Sequence, residues 1–121
     1  MIELGVHTDN WRCLSGNFQT AVSLVTPALT GTYRINFYCE LACSSTNKSA
    51  LCQLLNVTDS NAEVCYGNVY TLGNMTYIMV SGFGDVSFVG AAKTFRLQYA
   101  AATPPVETFI RRARLEIWKE G

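Results

Sequence analysis

The chain has 121 residues, enough to bury a core without disulfide or metal staples. Hydrophobic residues make up 49% of it and charged ones only 15%, below the roughly 25% of an average soluble domain; so sparse a charge points to surface covered by a partner, most commonly an identical subunit. Nine basic and nine acidic side chains cancel, which leaves no surplus to neutralise phosphates and gives nucleic-acid binding no electrostatic support.

Ile2–Val6 is a short apolar run with the pattern of an edge strand, and His7–Asn17 is polar and turn-like around Trp11 and Cys13. Phe18–Thr26 alternates imperfectly and stops at Pro27, which cannot donate to a sheet ladder. The strongest signal is Gly31–Cys43. Tyr33, Ile35, Phe37, Cys39, Leu41 and Cys43 point one way, and Arg34, Asn36, Tyr38, Glu40 and Ala42 the other. The alternating run spans roughly 35 Å, which predicts a central strand with one buried and one wetter face.

Ala50–Val57 also fits helical spacing at Leu51, Leu54 and Leu55. Its shortness and the flanking turn clusters, Ser44–Ser49 and Thr58–Asn61, predict a strand instead. Gly67-Asn68, between Glu63–Tyr66 and Val69–Leu72, predicts a tight turn. Met75–Val80 reads as a strand, Ser81–Asp85 (SGFGD) as a glycine-rich turn and Val86–Val89 as a short strand. Thr94–Tyr99 alternates cleanly, and Ala100–Val106, with Pro104-Pro105, reads as an exposed loop. Phe109–Trp118 is the last strand, with Ala113, Leu115 and Ile117 against Arg112, Arg114 and Glu116. About eight strands at roughly ten-residue spacing, with no convincing helix, predict an all-β antiparallel sandwich or closed barrel, one domain over residues 1–121.

Catalytic groups are scarce. His7 is the sole histidine, which removes a multi-histidine metal site and leaves little for a nucleophile–base pair. Five cysteines (Cys13, Cys39, Cys43, Cys52 and Cys65) leave at least one thiol unpaired. Cys39 and Cys43 on one strand would lie about 13 Å apart, too far for a disulfide, and their spacing is not that of a zinc knuckle. They are read as small buried hydrophobes. Glu40, Asp59, Glu63, Asp85, Glu107 and Glu116 are scattered singly. Two of them meeting in space would make a glycosidase pair, but the expected role of Glu40 and Glu116 is cross-strand pairing with an arginine such as Arg34 or Arg114. No catalytic, cofactor-binding or metal-binding residue is expected.

The sequons at Asn47, Asn56 and Asn74 read as chance matches. The N-terminus has neither the basic nor the apolar region of a secretory leader, so synthesis in a cytoplasm is expected, with no membrane segment. Arg111, Arg112 and Arg114 form a basic patch beside Trp118, expected to be a solvated strand face or a salt-bridged subunit contact rather than a surface for a glycan or an anionic partner. Tyr38, Arg112, Arg114 and Trp118 are the candidate partner contacts.

Two stretches carry a resemblance. PALTGTYRINFYCEL, with its Pro-x3-Gly-x-Tyr-x-Ile-x-Phe core, resembles the early long strand of C1q/TNF-like jelly rolls. TFRLQY and IRRARLEIW resemble the last strands of small jelly-roll domains in tailed-phage virion proteins, among them fibre tips and capsid decoration proteins. The resemblance implies a jelly-roll sandwich and a homotrimer packed around a three-fold axis. It also implies a non-enzymatic role in the virion, as a decoration or cement protein that binds the major capsid protein. A 121-residue chain beginning at Met1 suits a decoration subunit better than a whole tail fibre. The alternative is a receptor- or glycan-binding domain of a fibre or tailspike, with Tyr66, Tyr70 or Trp11 holding a sugar on the host surface.

Overall fold

The computed structural model describes residues 5–8, 11–13, 18–44, 48–71, 76–102 and 107–119. Nine strands lie among them: β1 (Gly5–Thr8), β2 (Trp11–Cys13), β3 (Gln19–Val25), β4 (Leu29–Cys43), β5 (Lys48–Asn56), β6 (Ala62–Thr71), β7 (Ile78–Ala91), β8 (Thr94–Ala101) and β9 (Thr108–Lys119). Sheet A runs β1-β9-β4-β7, with β2 also on β9, and sheet B runs β3-β8-β5-β6, every pairing antiparallel. Because β1 and β2 share one edge position, the order fills eight positions in two facing sheets, the arrangement of a jelly roll.

The alternation of β4 positions everything else. Its six inward residues, Tyr33 to Cys43, are all buried. They meet Ile110, Ala113, Leu115 and Ile117 of β9 on their own sheet, and Leu54 of β5 and Phe95, Leu97 and Tyr99 of β8 in the same core. Tyr33 stands edge-on to Phe88 at 5.2 Å, and Phe88 leans on Phe95 at 6.3 Å, geometries that add to plain area burial. Cys39, Cys43 and Cys52 are free thiols in this core. A hydrogen bond with Cys52, then burial, push the Cys39 thiol far above its ordinary pKa, so it stays protonated and inert. Burial pushes half-buried Cys65 up to about 12.

Several elements differ from the sequence expectation. His7 and Trp11–Cys13, read as turn-like, belong to strands paired with β9. The strand expected at Ile2–Val6 is seen from Gly5, and residues before it lie outside those described. Part of the loop expected at Ala100–Val106 is strand, because β8 continues to Ala101, which is buried; 103–106 lie outside the described residues.

The largest correction concerns the glycines. β6 passes straight through Gly67-Asn68, and β7 straight through SGFGD. A Cβ on Gly67 would sit 2.6 Å from Cys52 Sγ, and one on Gly82 would sit 2.7 Å from Phe37 Cε1. On Gly84 it would sit 2.5 Å from Val64 Cγ1 and 2.9 Å from the Val64 carbonyl oxygen. These glycines mark where the edge strands of the two sheets close on each other, not where the chain reverses.

Candidate functional site

The outward residues of sheet A form registered rows across β9, β4 and β7. Trp118, Arg34 and Asp85 make one row, Glu116, Asn36 and Phe83 the next, and Arg114, Tyr38 and Ser81 the third. Arg34 Nε lies 3.7 Å from Asp85 Oδ1, and its guanidinium stacks on the Phe83 ring, 4.3 Å from the centroid. Arg114 Nε lies 2.6 Å from Glu116 Oε1, and Trp118 Nε1 donates to Glu116 Oε2 at 3.2 Å. Arg34, Asn36, Tyr38, Phe83, Arg114 and Glu116 line an open depression of about 390 Å³. Asn36 Oδ1 is buried there without a hydrogen-bond partner.

Further along β4, Glu40 lies on the face expected to be wet, yet it is only 6% exposed. Arg111 Nε donates to its Oε1 at 2.6 Å, Arg112 Nη1 reaches both oxygens at 3.3 Å, and the Tyr38 hydroxyl donates to Oε2 at 2.9 Å. Glu40 is therefore covered by guanidinium groups rather than by depth of protein. The Arg111 hydrogen bond, opposed by burial and aided by Tyr38 and Arg112, holds its carboxyl below the ordinary glutamate value. A carboxyl held ionised in this way cannot serve as a general acid near neutral pH. Glu40 pairs across strands with arginines as expected, though with Arg111 and Arg112; Glu116 takes Arg114, but on its own strand, and Arg34 takes Asp85.

A bulge delivers two consecutive arginines to one carboxylate. Tyr38 pairs with Arg114 and Glu40 with Arg111, so Arg112 and Ala113 both stand against Cys39. Arg112 takes φ 51°, and the extra residue keeps Ala113 and Leu115 inward. The left-handed backbone costs about 1 kcal/mol for a residue with a side chain, and an exposed ion pair returns about as much at most. Arg112→Gly is accordingly expected to leave the melting temperature unchanged or raise it by a few degrees. Arg111→Gly, which removes the closest partner of Glu40 from an extended position, should lower it. Thermal melts of the two variants check this.

The structure thus gathers Tyr38, Arg112, Arg114 and Trp118 on one face and ties the polar end of each to Glu40 or Glu116. Among the described residues six large hydrophobic side chains are exposed, and five of them, Tyr66, Tyr70, Met79, Phe83 and Val89, belong to β6 and β7. Those strands end sheets B and A and lie against each other through their inner sides, so Tyr66 and Tyr70 project from the outer side of sheet B and Met79, Phe83 and Val89 from the outer side of sheet A. Met79, Phe83 and Val89 gave no partner signal in sequence because the intervening SGFGD read as a turn. The side chains of Trp11 and His7, with the sequons at Asn47 and Asn74, lie outside what is described. Asn56 is 5% exposed and donates to Asp59 Oδ2 at 2.6 Å, which fits a chance sequon. No group of three metal-ligating side chains occurs among the described residues.

No family model matches the sequence, and no curated protein matches it. Solved structures do. The VP2 subviral particle protein of infectious bursal disease virus superposes with a TM-score of 0.66 at 9% identity, over 99% of this chain and 33% of that one. The carbohydrate-binding module TmCBM61, solved with β-1,4-galactotriose, gives 0.51 at 12% identity, over 92% of this chain and 69% of that one. The CBM36-1 domain of a xylanase from the hindgut metagenome of Trinervitermes trinervoides gives 0.50 at 14%, over 97% and 77%. The chain spans about a third of the VP2 chain it matches. At these identities the likeness establishes the fold, a jelly roll shared by viral capsid proteins and carbohydrate-binding modules; a tailed-phage or C1q/TNF relationship is finer than this likeness.

Proposed function

We propose that the chain is a non-enzymatic virion structural protein, a jelly-roll subunit that trimerises and attaches to a phage head shell as a decoration protein. The observation that carries this reading is the outer side of edge strand β6, where Tyr66 and Tyr70 stand exposed. An exposed apolar patch on an uncovered sheet edge is a surface that a partner covers. A three-fold ring needs two different surfaces on every copy, and the outer side of β6 supplies one. The likeness of 99% of the chain to part of a capsid protein supports a place in a virus particle. Once docked, the protein would act by mass action: binding the assembled shell and not its dissociated parts stabilises the assembly.

Light scattering of the purified chain tests this. A mass three times the 13.3 kDa monomer is expected. A Tyr66→Lys, Tyr70→Ser double variant should fall to the monomer mass while remaining folded, with a lower melting temperature than the trimer, and should pellet less with empty capsids. A monomeric wild type that also fails to pellet with capsids would overturn the proposal.

A further inference from the structure

We propose that the depression on the outer face of sheet A is a binding site for a neutral saccharide, a role beyond assembly. Its centre is Asn36, flanked in register by Glu116 of β9 and Phe83 of β7. The Asn36 Oδ1 is buried and accepts no hydrogen bond. Buried acceptors are almost always satisfied, and half-buried Asn36 lines a depression of about 390 Å³, where a turn of its side chain would present the unpaired oxygen to a donor from outside the chain.

The surrounding chemistry selects the donor. Arg34 is paired with Asp85 and Arg114 with Glu116, so the charges cancel and the site holds no net attraction for a free anion or cation. Instead it sets fixed guanidinium donors beside fixed carboxylate acceptors on adjacent strand positions. Vicinal hydroxyls, each able to donate and accept, match such alternation. An apolar ligand would leave Asn36 open. Phe83 adds an apolar wall: it is 58% exposed although the Arg34 guanidinium lies on one face, and a sugar's C–H face packs on such a ring while its hydroxyls turn to the polar side. The lining groups are carried on three hydrogen-bonded strands, so the site is rigid before a ligand arrives.

The test is a nuclear magnetic resonance titration of the full chain. The probes are neutral galacto-, gluco- and xylo-oligosaccharides, with a sialylated trisaccharide and inorganic sulfate as charged controls. A neutral oligosaccharide is expected to shift the Asn36 side-chain amide and the backbone amides of Ser81 and Phe83. Asn36→Leu should weaken binding by about ten-fold or more, and Ser81→Ala should weaken it less. Both variants should keep the fold and the oligomeric mass of the wild type, which separates this site from the assembly surface. The proposal is overturned by any of four outcomes: no shift with any neutral probe, binding of sulfate or the sialylated sugar alone, shifts confined to Tyr66 and Tyr70, or a folded Asn36→Leu that binds like wild type.

Discussion

Gly84→Val is expected to destabilise the protein more than any other single substitution on its edge strands, by about 3 kcal/mol or more, a fall in melting temperature of roughly 10 °C. The reason is the seam between the sheets. β7 closes on β6 at Val64, the extra residue between the Leu54–Cys65 and Leu55–Glu63 pairs. A Cβ on Gly84 would lie 2.5 Å from Val64 Cγ1 and 2.9 Å from the Val64 carbonyl oxygen. A side chain can rotate away from such a contact, but a carbonyl held in a strand cannot. Relief requires the two edges to part, which loosens the packing of Val64 and Val86 against the core.

The same reasoning ranks the other glycines. At Gly82 the nearest atoms belong to Phe37 and Cys65 side chains, and at Gly67 to Cys52, Val80 and Phe37 side chains, so alanine there meets groups that can shift. Gly84→Ala should cost more than Gly82→Ala or Gly67→Ala, and Ser87→Ala, on the exposed outer face of β7, should stay within about 0.5 kcal/mol. Chemical denaturation of the four alanine variants reads the order directly. A Gly82→Ala cost above that of Gly84→Ala would remove the backbone contact as the cause.

These glycines also show how far the sequence could be read. Period-two alternation made β4, β8 and β9 legible, since a one-residue error would have turned every core side chain to solvent. The inward set from Tyr33 to Cys43 is buried as the pattern required. The identical rule misread β6 and β7, because glycine interrupts a hydrophobic pattern in the same way whether it turns the chain or admits a neighbouring strand. Only the opposite sheet distinguishes the two cases, and its position is not a local property. That error hid that Tyr66 and Tyr70 share one unbroken strand face.

The outer face failed differently. Arginine, carboxylate and tyrosine were legible there as residue types, and Tyr38, Arg112, Arg114 and Trp118 do share it. Which arginine meets which carboxylate depends on a bulge at Arg112. A bulge of one residue changes every pairing beyond it without changing composition. Asn36 offered no signal at all, since an amide on an exposed strand face is ordinary until its oxygen is found buried and open.

Glu40→Gln is expected to lower stability by about 2 kcal/mol near neutral pH, and the effect should vanish in acid. The substitution keeps the volume and removes the charge that Arg111, Arg112 and Tyr38 converge on. Loss of one partner of a fully buried ion pair costs more than this. Here the Arg111 side chain is 33% exposed and that of Arg112 is 68% exposed, so water takes up part of what the carboxylate held. The sign of the pH dependence follows from the lowered pKa of Glu40. With the folded value below the unfolded one, the unfolded chain binds the extra proton first, and stability falls as pH falls. The contribution of Glu40 is complete above the unfolded glutamate value, about 4.3, and is lost as pH drops through the folded value beneath it. Asp59 is also lowered, mainly by its hydrogen bond from Lys93, but it is present in both proteins and cancels in the comparison. The gap in melting temperature between wild type and Glu40→Gln should therefore be constant from pH 8 to 5 and close as pH falls below that range. A gap unchanged down to pH 2 would mean that Glu40 stabilises the fold through shape and neutral hydrogen bonds, and the two arginines would then be solvated neighbours of the carboxyl rather than its counter-charge.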